Sequence, residues 1–228
     1  MGRTVIVGDV HGCRGELEEL LAKVGFVKGA DRLVFVGDLV ARGPDTHGVL
    51  ALVRELRATS VRGNHEDKVL GMRASGGDGE HGRIAEALDR AEWRQLDAMP
   101  LWLDLPEHNL RVVHAGVVPG IRFDRTPPEA ILKVRAADGR GGWTDAKSER
   151  PLWGELYTGP PHIVFGHNAL SEPQLHKWAT GIDTGCVYGR ELTALVLDAD
   201  EPMPRGRVAV RRRLVSVPAR RKYHPTKR

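Results

Sequence analysis

Cysteine is scarce. Cys13 and Cys186 are the only two in 228 residues. That excludes a disulfide framework and makes a reducing cytoplasm the expected compartment. No run of about 18 apolar residues occurs, so no membrane-spanning helix is expected. No basic-then-apolar leader precedes the first strand, so no secretory signal is expected. No solenoid repeat or clear linker divides the chain, and a length of 228 residues at 41% hydrophobic content fits one large α/β domain. Acid is missing from one region: residues 205–228 hold ten Lys or Arg and no Asp or Glu. The remaining residues carry 24 basic side chains against 30 acidic ones, so a mildly acidic body ends in a basic segment. Such an end reads as solvated and flexible, with the gathering of polyanions as the sharper alternative. A single domain over 1–217 and a basic tail over 218–228 are therefore expected.

What is present is a repeated pattern. Val5-Ile6-Val7 runs straight into Gly8-Asp9-Val10-His11-Gly12. A continuous β-branched run of this kind predicts a buried strand, and it stops at two metal-competent side chains. Asp9 and His11 lie two apart in an extended segment and can face the same side. A carboxylate with an imidazole suits a divalent transition metal better than calcium. Leu17, Leu20, Leu21 and Val24 then mark a helix that ends at Gly25. Leu33-Val34-Phe35-Val36 is a second apolar run, stopping at Gly37-Asp38. Strand, helix and strand in this order predict a parallel sheet.

The pattern recurs. Arg42 precedes a Gly-Pro turn four residues after Asp38, where its guanidinium fork can meet phosphate oxygens. A helix is expected over Thr46–Arg57. Ser60-Val61 leads to Gly63-Asn64-His65-Glu66, Leu110–Val113 to His114-Ala115-Gly116, and Ile163–Phe165 to Gly166-His167. Between these points, residues 71–81 read as a mobile loop, residues 84–96 as amphipathic helix, and residues 121–161 as cover for the site with a short helix at Pro128–Arg135. Gln174–Trp178, Leu192–Leu197 and Arg207–Val215 read as later strands.

Five strand ends thus deliver Asp9, His11, Asp38, Asn64, His114 and His167. In open α/β sheets, ligands collect beyond the carboxyl ends of the strands. Two carboxylates, three imidazoles and an amide are too many ligands for one tetrahedral zinc and suit two ions sharing a carboxylate. Two ions about 3.5–4 Å apart clamp a phosphoryl group and activate a water for in-line attack. His65, beside a ligand, is then available to protonate the leaving oxygen, and Arg42 to neutralise charge on the phosphoryl oxygens. No spacing of a zinc finger, P-loop or serine triad is present. Phosphate hydrolysis is the reaction these residues predict.

Gly8–Gly12, Gly37-Asp38 through Arg42-Gly43, Gly63–Glu66, His114–Gly116 and Gly166-His167 together resemble the metallophosphoesterases of the phosphoprotein-phosphatase superfamily. Gly37–Pro44 and Asp183–Gly189 resemble its symmetrical diadenosine-tetraphosphatase branch, ApaH, and the ApaH-like phosphatases. The resemblance implies the calcineurin-like α/β fold, two packed mixed β-sheets flanked by helices in four layers. It implies Asp9, His11 and Asp38 on one metal, with Asp38 bridging to a second held by Asn64, His114 and His167. It also implies His65 as general acid and Arg42 as phosphate clamp; the oxygen and nitrogen ligand set makes manganese the leading choice of metal, with cobalt, iron or zinc the alternatives. Arg135 is the candidate for a second phosphate-binding arginine, with Arg140 and Arg150 behind it, and Tyr188 is a candidate to stack on a base. Asp183 and Cys186 read as shaping the loop beside the site.

Protein Ser/Thr phosphatases carry an Asp where this chain has Ala41, and that Asp orients the catalytic histidine. Alanine cannot, and ApaH-type sequences share it, so the resemblance favours nucleotide over phosphoprotein substrates, whereas Glu66 after His65 matches the protein phosphatases. The leading expectation is symmetrical hydrolysis of a dinucleoside tetraphosphate to ADP. The alternatives are a Ser/Thr or Tyr protein phosphatase, a polyphosphatase or RNA-cap hydrolase of the ApaH-like type, and a non-catalytic polyanion-binding protein using the basic tail.

Overall fold

The computed structural model of the chain describes residues 2–225. From the N-terminus, β1 (Thr4–Val7) is followed by α1 (Arg14–Lys23), β2 (Arg32–Phe35), α2 (Thr46–Glu55) and β3 (Thr59–Ser60). Three helices come next, α3 (Asn64–Ser75), α4 (Gly79–Ala87) and α5 (Arg90–Asp97). β4 (Trp102–Leu105) and β5 (Leu110–Val113) form a hairpin, and α6 (Pro128–Lys133) precedes a small ribbon of β6 (Ala136–Ala137) and β7 (Trp143–Thr144). α7 (Trp153–Leu156), β8 (His162–Phe165), β9 (Gln174–Leu175), β10 (Ala179–Gly181), β11 (Glu191–Leu197), α8 (Arg207–Arg211) and β12 (Leu214–Pro218) complete the order.

Two five-stranded sheets result, ordered β12-β11-β1-β2-β3 and β4-β5-β8-β10-β9. β1, β2 and β3 run parallel in the first, and β5, β8 and β10 run parallel in the second, with antiparallel strands outside them. The continuous apolar runs follow from burial on both faces. Successive side chains of a strand point to opposite sides, so Val5, Val7, Leu33 and Phe35 pack under the helices of the first sheet, while Ile6, Val34 and Val36 meet Leu110, Val112 and Val164 between the sheets. Val113, Ile163 and Phe165 face outward from the second sheet onto Trp153 and Ile131. Helix, sheet, sheet and cover form the four expected layers.

Several local expectations need correction. Residues 71–81 are not a loop: α3 runs to Ser75, Gly76 in the left-handed region (φ 61°) ends it, and α4 starts at Gly79. Its glycines punctuate two helices instead of loosening one long connection. The amphipathic stretch 84–96 is two helices, because Leu88 is extended and Asp89 opens a new one, accepting from the amides of Ala91 and Glu92 while Glu92 accepts from the Asp89 amide. The α6 helix stops at Lys133, two residues short of Arg135. Gln174–Trp178 is broken into β9 and the approach to β10.

Arg207–Val215 is a helix followed by a strand, not one strand. Over so few residues a single buried side chain, Val210, cannot separate a period of two from one of 3.6. The basic end is not loose where it is described. Residues 219–224 fold back so that Ala219 donates to the Arg190 carbonyl, the Arg220 amide and Tyr223 hydroxyl donate to Glu16, and the amides of Tyr223 and His224 donate to the Val187 carbonyl. This cover is why Glu16 is buried. Lys227 and Arg228 lie outside the described residues.

Candidate active site

The parallel strands end on one rim, where the sequence-predicted side chains converge. His11 Nε2 lies 3.4 Å from Asp38 Oδ2 and 4.0 Å from Asp9 Oδ2. Across the sheets, His114 Nε2 lies 3.5 Å from Asp38 Oδ2 and 3.0 Å from Asn64 Oδ1, and His167 Nδ1 lies 2.8 Å from the same Asn64 oxygen. Two groups emerge, His11 with Asp38 and His65, and Asp38 with His114 and His167, each with ligand atoms within 4.8 Å of one another. Asp38 belongs to both. Asp9 closes the first group from behind, its carboxylate accepting the His167 amide at 3.1 Å.

The backbone is bent to achieve this. His11, Asp38, Ala41, Arg42 and His167 adopt the left-handed region, with φ of 47°, 51°, 67°, 68° and 63°. Each such residue costs on the order of 1–3 kcal/mol, and such strain gathers at functional sites. Glu66 holds the bend in place. Its buried carboxylate accepts from the amides of Asp38, Leu39, Val40 and Gly63, joining the turn after β2 to the start of α3. Gly63 is required there, because a Cβ would run into Asp38 Oδ1. Asp38 Oδ1 in turn accepts the His65 amide at 2.9 Å.

The donor set fits divalent cations. His11 and His114 each give Nδ1–H to a backbone carbonyl, Val40 at 3.0 Å and Val36 at 2.8 Å. Their Nε2 lone pairs are thereby aimed at the cluster, as second partners orient metal-ligating imidazoles. The His114 lone pair then faces two other acceptors, Asn64 Oδ1 and Asp38 Oδ2, with no hydrogen to share, and a cation resolves that conflict. Burial pushes Asp38 up to about 7 and Asp9 well above the usual carboxylate range. It pulls His114 down to about 4 and His11 and His167 well below the usual imidazole range. Neutral imidazoles beside buried carboxylates are what a divalent ion requires.

His65 is also buried, and its Nε2 has no hydrogen-bond partner among the described residues. Arg42 is half-buried; its Nη1 donates to His11 Nε2 at 3.0 Å and its guanidinium carbon lies 5.5 Å from the Tyr188 ring centre. Arg135 donates to Asn168 Oδ1, and both line the same pocket of about 550 Å³ as Asp38, Asn64 and His167. Arg42, Lys68, Lys133, Arg135 and Lys147 give this pocket five cationic side chains, against Asp38 and Asp145. A wider depression of about 680 Å³, between residues 170–176 and 207–212, holds none of the rim residues. Arg140 and Arg150 do not line the rim pocket. Asp183 caps the turn after β10 by accepting the Gly185 amide at 3.0 Å, and Cys13 and Cys186 are buried free thiols, Cys13 Sγ donating to the His11 carbonyl at 3.8 Å.

Sequence reading missed four contributors: Glu66 as the four-amide acceptor, Asn168 under Arg135, and Glu80 and His81 on α4. Glu80 accepts the Arg42 amide and His81 Nε2 lies 2.9 Å from His65 Nδ1. Glu66 had a signal in its place at the third position of a helix that starts on a glycine cap. His81 had none, since nothing in its neighbourhood marks it as facing residue 65.

The chain matches the family model described as calcineurin-like phosphoesterase over residues 2–193. It is 34% identical over 218 residues, 83% of this chain and 86% of the relative, to the protein of Oceanobacillus iheyensis named bis(5'-nucleosyl)-tetraphosphatase PrpE, asymmetrical. It is also 34% identical over 209 residues, 82% of this chain and 88% of the relative, to serine/threonine-protein phosphatase 1 of Salmonella typhimurium. Among solved structures, one provisionally named a diadenosine tetraphosphatase superposes with a TM-score of 0.83 at 34% identity, covering 96% of this chain and 94% of the other.

Proposed function

The chain belongs to the calcineurin-like phosphoesterase family, and from that premise we propose that this metallophosphoesterase hydrolyses phosphoanhydride bonds of dinucleoside tetraphosphates. The carrying observation is the pocket. Its five cationic side chains extend beyond the rim, more positive charge than a single phosphoryl group needs and a suitable lining for a chain of several phosphates.

Asp9, His11 and Asp38 would hold one ion, and Asp38, Asn64, His114 and His167 a second, with manganese the first choice for this oxygen and nitrogen set. When bound, such ions polarise phosphoryl oxygens and lower the pKa of a water. The protein's own groups do the rest. Arg42 leaves the His11 nitrogen and turns its fork toward the phosphoryl oxygens. His65, with Nε2 unpartnered, donates to the oxygen that leaves. Lys68, Lys133, Arg135 and Lys147 hold the remaining phosphates in line. Tyr188, beside Arg42, offers a ring on which a base can stack.

The motif around Gly37–Pro44 favoured symmetrical cleavage to two ADP. The relatives named asymmetrical favour release of ATP and AMP, and we take that position for the cut. A second reading, a protein phosphatase, has the Salmonella relative in its favour. One assay separates them. With manganese present, diadenosine tetraphosphate, polyphosphate and a phosphopeptide are offered side by side and the products resolved. ATP and AMP with little peptide turnover is the expected result. Two ADP would restore the symmetrical cut, and faster phosphopeptide release would overturn the nucleotide reading.

A further inference from the structure

Ala41 leaves His65 without a carboxylate partner, yet the ring is not unpartnered. Its Nδ1 lies 2.9 Å from His81 Nε2, with the two ring centres 4.9 Å apart and the planes 37° to each other. Its Nε2 is buried and without a partner among the described residues, and the ring joins His11 and Asp38 in one group whose ligand atoms lie within 4.8 Å of one another. His81 is half-buried in the first turn of α4, and the preceding residue fixes that turn to the site, because Glu80 accepts the Arg42 amide. The α4 terminus thus touches the phosphate-clamping loop through one side chain and the candidate acid through the next.

We propose that His81 is the positioning residue of His65, donating Nε2–H to the His65 Nδ1 lone pair and so keeping the His65 hydrogen on Nε2, toward the substrate. Two neutral imidazoles joined through one hydrogen bond share a single hydrogen, and this assignment is the one that leaves a donor on His65 Nε2. It differs in kind from a carboxylate partner. A carboxylate accepts from Nδ1 and favours a charged ring able to complete a proton transfer to an alkoxide. An imidazole donor favours the neutral ring, which gives a hydrogen bond to an oxygen that departs as an anion. Nucleotide phosphates are such leaving groups, and serine or tyrosine side chains are not. The inference rests on the reading of His65 as donor to the leaving oxygen, and it narrows that reading to good leaving groups.

The test has a spectroscopic and a kinetic arm. Long-range proton–nitrogen correlation spectra of the metal-free protein, assigned with His65→Ala and His81→Ala, should show His65 as the Nε2–H tautomer. In His81→Ala that preference should disappear. An Nδ1–H tautomer in the unaltered protein would overturn the proposal without any variant having to fold. In turnover of diadenosine tetraphosphate, His81→Ala should lower kcat roughly 10- to 100-fold, as loss of a histidine's orienting partner does, with KM within about twofold. His81→Gln, whose amide can still donate, should recover most of it. A raised KM at unchanged kcat, or no recovery in His81→Gln, would overturn the positioning role. His65→Ala, run alongside, separates the failures. Full turnover without His65 removes the donor reading itself, whereas loss there with unaltered kcat in His81→Ala removes only the positioning.

Discussion

The strand-end rim and the helical cap of α3 and α4 feed the same pocket by opposite means. On the rim, each side chain sits one to four residues past a parallel strand, so its position is set by the sheet, and the backbone is bent to suit at His11, Asp38 and His167. On the cap, Lys68 and His81 come from helix turns whose reach depends on how α3 and α4 pack. The rim holds the residues that any phosphoryl substrate would need. On the proposed reading the cap holds Lys68 and His81, which act on the choice among phosphoryl substrates. On that reading the difference separates reaction type from substrate choice within the fold, and substitutions in the two regions should alter them separately.

The largest test strikes the rim. Asp38→Ala removes the carboxylate common to both groups, and we expect metal content to fall at both positions and turnover to drop to the detection limit. Retention of activity there would break the contrast outright. His65→Ala should keep metals, measured by elemental analysis, while kcat falls roughly 10²–10⁴-fold.

Acidity probes the rim without mutation. Burial holds Asp38 at about 7, so at pH 6 the metal-free carboxyl carries a proton that a cation must displace. Affinity should therefore rise by at least about tenfold from pH 6 to pH 8, with more proton release at pH 6 than at pH 8, as read by calorimetry in buffers of different ionisation enthalpy. An affinity flat across that range would mean Asp38 is ionised before the ion arrives.

The cap should respond in a different measure. Lys68→Met should raise KM for diadenosine tetraphosphate by roughly tenfold, the loss of one charge-assisted hydrogen bond, and leave turnover of a small aryl phosphate unchanged. An equal loss on both substrates would merge cap with rim. Smallest and farthest from both, Tyr223→Phe should lower unfolding stability by about 1 kcal/mol in urea, because the buried Glu16 carboxylate loses one of its donors.

The rim was legible in the sequence because its logic is local. An apolar run, a glycine and a ligand type, repeated along the chain, need no knowledge of tertiary packing, and Asp9, His11, Asp38, Asn64, His114 and His167 do gather. The two sheets were legible from the same runs. The cap was not. Gly76, Gly77 and Gly79 read as looseness, yet they mark the sharp passage between two helices. His81 becomes meaningful only when α4 is docked, and Arg207–Val210 was too short to reveal its period. Glu66 lies between these cases: its position was visible, but its four amide partners come from a turn 26–28 residues away as well as from Gly63.

The left-handed backbone at position 41 has a bearing on the choice of residue there. With φ at 67°, the site penalises branched side chains, but Asp is among the few non-glycine residues at ease there. The carboxylate found at this place in protein phosphatases is therefore an exchange that the main chain already accommodates. On the proposed reading, Ala41→Asp would trade the helper on α4 for one on the turn itself without rebuilding that turn.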